Sequence, residues 1–156
     1  MFDASENDLR FAIQHALSPE IHKLVSEIHD ISNDTVDVVL SEAAKFARDV
    51  IAPLNHLGDK QGCTWHADNT VQTPPGFKEA YKEMSEAGWC SIEGCEEFGG
   101  QNLSKMISAS TAEMWHSANM SFSLCHLLSQ GQINALEKYG DPEQKQTWIS
   151  QTTYLV

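Results

Sequence analysis

Residues 120–149 read MSFSLCHLLSQGQINALEKYGDPEQKQTWI and contain two helix signals separated by a single break. Apolar residues recur at helical spacing from about Met120 to Tyr139, and Gly140 ends that run. Asp141 then supplies a side-chain oxygen that caps a new helix, and Pro142 suits its first position because the amide there has no helical partner. The stretch therefore predicts one long helix followed closely by another.

Five more helices are predicted upstream, from apolar residues spaced three and four positions apart. Their apolar stripes are Leu9, Ala12, Ile13, Ala16 and Leu17; Ile21, Leu24, Val25 and Ile28; Val36, Val39, Leu40, Ala43, Ala44, Ala47, Val50 and Ile51; Phe77, Ala80, Tyr81 and Met84; and Met106, Ile107, Met114 and Trp115. The expected caps are Ser5 with Asp8, Ser18, Asn33 with Asp34, and Ser104. Pro53 is expected to end the third helix, and Gly88 to end the fourth in a left-handed conformation.

Two long segments have no helical period. Residues 54–73 are rich in Gly, Asp, Asn and Thr and are predicted to form a loop, with a short extended piece at Val71. Residues 89–103 are predicted to form the second loop. The fold class that follows is all-α, an irregular bundle of six or seven helices with two long loops and essentially no strands.

The charge balance restricts the possible partners. The chain of 156 residues has 22 acidic and 10 basic side chains, a net charge of −12, which disfavours nucleic acid and anionic membranes. It has no run of 18 apolar residues, and its first ten residues do not resemble a signal peptide. These features predict one soluble, unexported domain, and hence a cytoplasmic location.

Metal and nucleophile motifs are not evident. Cys63, Cys90, Cys95 and Cys125 form no C-x-x-C pair, so free thiols are expected. The seven histidines are too far apart to predict a metal site. No Walker loop, G-x-S-x-G elbow or G-x-G-x-x-G fingerprint is present.

Short motifs occur in a fixed order along most of the chain. They are Phe46 with Ala52-Pro53-Leu54, Gly58-Asp59, Pro74-Pro75-Gly76-Phe77, Gly88-Trp89, Glu97-Phe98-Gly99-Gly100, Tyr139-Gly140-Asp141-Pro142, Gln144-Lys145 and Trp148. This set resembles the N-terminal helical domain of the flavin-dependent acyl-CoA dehydrogenases, most like the larger bacterial forms with an extra front segment. The resemblance implies an N-terminal helical extension at 1–32, the family domain at 33–152, and the truncated start of a missing β-domain at 153–156.

The resemblance also implies a function for the complete enzyme. In that family FAD accepts a hydride from the β-carbon of an acyl-CoA thioester while a glutamate removes the α-proton, which yields a trans-2-enoyl-CoA. The base and the main flavin contacts belong to the β-domain and the C-terminal domain. This chain is therefore expected to carry no catalytic residue, to bind no FAD alone, and to need those domains or to self-associate. The alternative is a non-catalytic helical module that binds another protein.

One wall of the acyl pocket is what the resemblance assigns to this domain, at Phe122, Ser123, His126 and Gln130. Phe122, His126 and Gln130 recur every four residues, so a helix places them on one flank. The alternative is that this flank only meets another helix or a missing domain. Histidine and glutamine would suit a plain long alkyl chain poorly.

The loop around residues 89–100 has two interpretations. In the family it lies near the cofactor-side entrance. The structural alternative, which we favour, has Trp89 as a packing anchor and Gly99-Gly100 as a turn with positive φ. The acids Glu93, Glu96 and Glu97 are expected to be solvated.

Overall fold

The computed structural model describes residues 2–16, 18–21, 23–24 and 32–151, and within them the chain is mostly helical. The helices are α1 (Glu6–His15), α2 (Asn33–Phe46), α3 (Ala52–Gln61), α4 (Phe77–Glu86), α5 (Lys105–Ala118), α6 (Met120–Tyr139) and α7 (Pro142–Gln144). Wider π turns at Ala47–Ile51 and Lys145–Ile149 follow α2 and α7. The predicted all-α bundle is confirmed. Most of the predicted second helix and the segment 153–156 lie outside the described residues.

Strand structure in the described part is limited to one small ribbon. Thr64–Trp65 pairs antiparallel with Val71–Gln72, so the extended piece predicted at Val71 is confirmed. All four residues are exposed.

The prediction that Pro53 ends a helix and opens a loop is wrong for residues 54–61. The π turn Ala47–Ile51 precedes the proline, and the amide of Ala52 bonds to the carbonyl of Ala47, five residues back. This wider turn lets the chain pass through a proline that cannot donate, and α3 continues to Gln61. No residue of α3 is buried, which explains why its sequence has no apolar period.

Helix caps agree with the sequence at some positions only. Ser32 caps α2 by accepting from the Thr35 amide at 3.1 Å, in place of the predicted Asn33 and Asp34. Ser5 and Ser104 stand at N-caps, but neither side chain makes a capping hydrogen bond. Asp141 and Gln144 form a reciprocal capping box, which confirms the predicted restart after Gly140. Gly88 has a φ of 77°, as predicted.

The core is centred on Trp115 of α5, which is fully buried. Its ring makes edge contacts with Phe46 of α2, Trp89 of the second loop and His126 of α6, at centroid distances of 6.4, 5.3 and 5.2 Å. Its indole nitrogen donates to the carbonyl of Ala43 at 3.3 Å. One side chain thus joins three helices and a loop.

The second loop is tied to itself by backbone hydrogen bonds. The amides of Gln101 and Leu103 donate to the carbonyls of Ser91 and Ile92, at 3.1 and 2.9 Å. Trp89 packs against the core, as the structural interpretation predicts. Gly99 has a φ of 84°, but the φ of Gly100 is not positive, so the predicted turn conformation is confirmed at Gly99 and wrong at Gly100. None of the described helices is long and apolar enough to cross a bilayer.

Gly94 and Gly100 lie close together in the second loop, so a substitution at Gly100 has a predictable effect. A Cβ added there would collide with the backbone of Gly94, so Gly100→Ala should lower the free energy of unfolding by about 2 kcal/mol. Gly131, exposed within α6 with open space around it, is the matched control, and Gly131→Ala should raise stability by up to about 1 kcal/mol. Urea titrations followed by circular dichroism measure the free energy of unfolding of both variants. A change in the same direction for both would contradict the close contact between Gly100 and the backbone of Gly94.

Candidate functional site

The four residues predicted to form a pocket wall lie together on α6. Phe122, Ser123, His126 and Gln130 are all buried, with between 1% and 6% of each residue exposed. We call them the α6 inner flank. Asn119 caps the helix by accepting from the Phe122 amide at 3.2 Å, which positions the first residue of the flank.

Polar atoms on this flank are incompletely paired within the described structure. Ser123 Oγ, His126 Nδ1 and Gln130 Oε1 are buried with no hydrogen-bond partner among the described residues. The other end of the Gln130 amide does have a partner, since Nε2 donates to Asn134 Oδ1 at 3.5 Å. Because an unpaired buried polar group costs about 1–3 kcal/mol, three on one flank favour a site that receives polar atoms from elsewhere.

The imidazole of His126 is held in its neutral form. Its pKa is lowered to about 4; burial is the largest cause, the nearby His116 acts in the same direction, and the carboxylate of Glu93 opposes both. The ring stands edge to face against Trp115, with an interplanar angle of 76°. At neutral pH the flank therefore carries no charge, and His126 can donate or accept a hydrogen bond.

Glu93 overturns the expectation that the loop acids are solvated. Only 11% of its side chain is exposed, while Glu96 and Glu97 remain on the surface as expected. Its carboxylate accepts from Ser108 Oγ and from Lys105 Nζ, the latter at 2.7 Å. No sequence signal separated Glu93 from the other acids, because its partners lie on a helix that folds back against the loop.

Beside the flank lies an apolar groove with a volume of about 820 Å³, between α3, α4 and α6. It is lined by Gly58, Gly62, Cys63, Thr73, Pro74, Phe77, Lys78, Glu79, Tyr81, Lys82, Ser121, Phe122 and Cys125. Phe77 and Phe122, both in its lining, contact each other edge to face, with centroids 5.8 Å apart. Phe122 is the one residue shared by the groove and the α6 inner flank.

The match to known families covers most of this architecture. Residues 33–153 match the family model described as "Acyl-CoA dehydrogenase, N-terminal domain". The chain belongs to the acyl-CoA dehydrogenase family. The groove and the α6 inner flank both lie within the matched range of this acyl-CoA dehydrogenase domain.

Two curated relatives of this acyl-CoA dehydrogenase domain indicate its place in longer proteins. The chain is 35% identical over 149 residues to a 3-methylmercaptopropionyl-CoA dehydrogenase of Ruegeria pomeroyi, an alignment covering 95% of this chain and 25% of the relative. It is 27% identical over 149 residues to a butyryl-CoA dehydrogenase of Syntrophomonas wolfei, with 91% and 24% covered. The chain thus spans about a quarter of the length of these relatives.

The thiols of this acyl-CoA dehydrogenase domain are free, as predicted. Cys63 and Cys125 are exposed and line the groove, whereas Cys90 is buried and burial raises its thiol pKa to about 11. In the described ranges, no group of three or more His, Cys, Asp or Glu side chains is placed to hold a metal ion.

Proposed function

We propose that this chain is the N-terminal domain of a flavin-dependent acyl-CoA dehydrogenase and forms one wall of its acyl pocket. The observation that carries the proposal is the α6 inner flank, where Ser123, His126 and Gln130 hold unpartnered buried polar atoms. Phe122 connects that flank to the apolar groove. An acyl group entering past Phe122 would meet apolar surface first and polar atoms behind it.

The reaction of the complete enzyme is the α,β-dehydrogenation of an acyl-CoA thioester to the trans-2-enoyl-CoA. Bound FAD would supply the acceptor for the hydride. The part of this chain is to orient the acyl group and to exclude water, which helps most when the wall is rigid and uncharged. The neutral imidazole of His126, fixed against Trp115, meets both requirements.

A short acyl group suits this wall better than a long alkyl chain. A polar atom near the β-carbon would find partners at His126 and Gln130, whereas a chain of many methylenes would leave them unpaired. The two relatives are named for 3-methylmercaptopropionyl-CoA and butyryl-CoA, both short acyl groups. We assign the same class of substrate to the protein that contains this domain.

We propose that the described residues alone do not hold FAD. A dinucleotide pyrophosphate is commonly held by cationic donors, but both arginines of the chain already pair with carboxylates. Arg10 lies 2.6 Å from Glu6 and 3.1 Å from Asp37, and Arg48 lies 2.9 Å from Asp49. As the family resemblance implies, we assign the flavin site and the catalytic base to the downstream β- and C-terminal domains, and we propose that the isolated chain is inactive.

Complementation tests this proposal. The chain is co-expressed with the downstream three quarters of the Ruegeria pomeroyi relative, and the purified complex is assayed for flavin absorbance and acyl-CoA-dependent dye reduction. This chain alone should be colourless, each part alone should be inactive, and the complex should turn over short acyl-CoA thioesters. A covalent fusion of the two parts is the second arm, and a folded fusion that holds flavin but never oxidises an acyl-CoA would refute the proposal.

The alternative is a helical module that binds another protein. It is favoured by the exposed apolar side chains on the outer side of α6, which are Met120, Leu124, Leu127 and Leu128. An exposed apolar surface of this kind is expected to be buried in an interface. In the dehydrogenase proposal the other side of the interface is a downstream domain or a second copy of the chain. Self-association of the isolated chain is expected, and light scattering over a concentration series measures it.

A cytoplasmic location is part of the proposal, and the four free thiols support it.

A further inference from the structure

Glu93 is the one loop acid whose carboxylate contacts two helices. On α5, one turn of helix supplies both Lys105 and Ser108 to its two oxygens. On α6, Asn134 Nδ2 donates to Glu93 Oε2 at 3.5 Å. Lys105 is 74% exposed, so its charge is screened by water. The neutral donors, Ser108 and Asn134, are better shielded from solvent.

The contacts continue from Asn134 to the α6 inner flank. Because Asn134 uses its nitrogen on Glu93, its oxygen is turned toward Gln130, where it accepts from Nε2 at 3.5 Å. The Gln130 amide is thereby oriented with Oε1 as the unpartnered end. A carboxylate in the loop thus determines which end of an amide on the flank is available.

We infer that Glu93 is a positioning residue that orients Gln130 through Asn134 and so determines the polar face that the acyl pocket wall presents. The inference rests on the proposed function for the role of the wall. It gives the second loop a positioning role in addition to its structural one. It also explains why one of three loop acids is drawn inward against the cost of burying a charge.

A carboxylate suits this position better than an amide of the same shape. Both of its oxygens accept, and they face the donors of Lys105, Ser108 and Asn134. Glu93→Gln would direct an NH₂ group at one of these donors. If the NH₂ faces Asn134, that amide must turn its oxygen toward residue 93, and Gln130 Nε2 loses its acceptor.

The test uses NMR of the full 156-residue chain, following the side-chain amide of Gln130 and the ring of His126. In Glu93→Gln, the Gln130 amide hydrogens should exchange with solvent about fivefold faster, as expected for one lost hydrogen bond. The midpoint of His126 titration should also move to lower pH, because the negative charge that raises its pKa is gone. His116 on α5 is the other titratable group that acts on this ring.

Two further variants separate positioning from general damage. Asn134→Ala should change the Gln130 amide in the same way while leaving Glu93 to act on His126. Glu97→Gln, an exposed acid in the same loop, should change neither signal. A folded Glu93→Gln with wild-type Gln130 exchange would overturn the inference; should that variant fail to fold, unchanged Gln130 exchange in Asn134→Ala would overturn it instead. None of these signals depends on turnover, so failure here is distinct from failure of complementation.

Discussion

Trp115→Ala should lower the free energy of unfolding by about 3–5 kcal/mol, the largest loss we expect from a single substitution. The side chain is fully buried, and its removal leaves a cavity that α2, α5 and α6 border together. It also removes the aromatic edge contacts with Phe46 and Trp89 and leaves the Ala43 carbonyl without its indole donor. Since domains of this size are stable by about 5–15 kcal/mol, much of the total would be lost.

Urea unfolding monitored by far-ultraviolet circular dichroism measures this loss without relying on tryptophan emission. Trp65→Ala is the matched control, because Trp65 is 66% exposed in the small ribbon, and its effect should stay within about 0.5 kcal/mol. Equal midpoints for the two variants, at unchanged denaturant slope, would show that Trp115 does not hold the bundle together.

Acid should destabilise the domain through His126, by about 3 kcal/mol between pH 7 and pH 4. The folded pKa is about 4, whereas an unfolded histidine titrates near 6.5. Between these two pKa values the unfolded chain binds a proton that the folded chain does not. The contribution of His126 to the free energy of unfolding is therefore fully present above pH 6.5 and is lost as the pH is lowered toward 4. The physical cause is first the burial of the imidazole, then its proximity to His116.

Comparison of pH slopes isolates the His126 contribution from that of the carboxylates. His126→Gln removes the titrating group, so its free energy of unfolding should fall by about 3 kcal/mol less than that of the wild type over the same range. His56→Gln, at an exposed position on α3, should retain the wild-type slope. Parallel slopes for wild type and His126→Gln would mean that the imidazole takes up its proton at the same pH in the folded and unfolded chains, so that burial does not lower its pKa.

Local signals explain where sequence reasoning succeeded. The bounds of α6 follow from a helical period and a glycine stop, and the helix start at Asp141 follows from a capping residue and a first-position proline. Prediction was wrong at residues 54–61, because α3 buries no residue and thus has no apolar period to detect. The π turn before Pro53, which makes that helix possible, has no sequence signature we recognise.

The candidate site also combines features that the sequence predicts with features that depend on the tertiary fold. Spacing alone placed Phe122, His126 and Gln130 on one flank, since a helix repeats every 3.6 residues. Their burial, the neutral state of His126 and the recruitment of Glu93 depend on contacts between distant segments. Glu93 meets partners that are 12, 15 and 41 residues away along the chain. Nothing in the local composition of the loop distinguishes it from Glu97.

By itself, the sequence determined the helical class, the extent of α6, and the family to which the ordered motifs belong, because these depend on spacing and on residue type at each helix end. Only the tertiary structure decided that the residues of the α6 inner flank are buried beside an apolar groove and that a loop acid, Glu93, accepts from Asn134, the partner of Gln130. The reason is that burial and hydrogen-bond pairing are properties of surfaces brought together by folding, and a linear pattern specifies the surfaces without specifying how they meet.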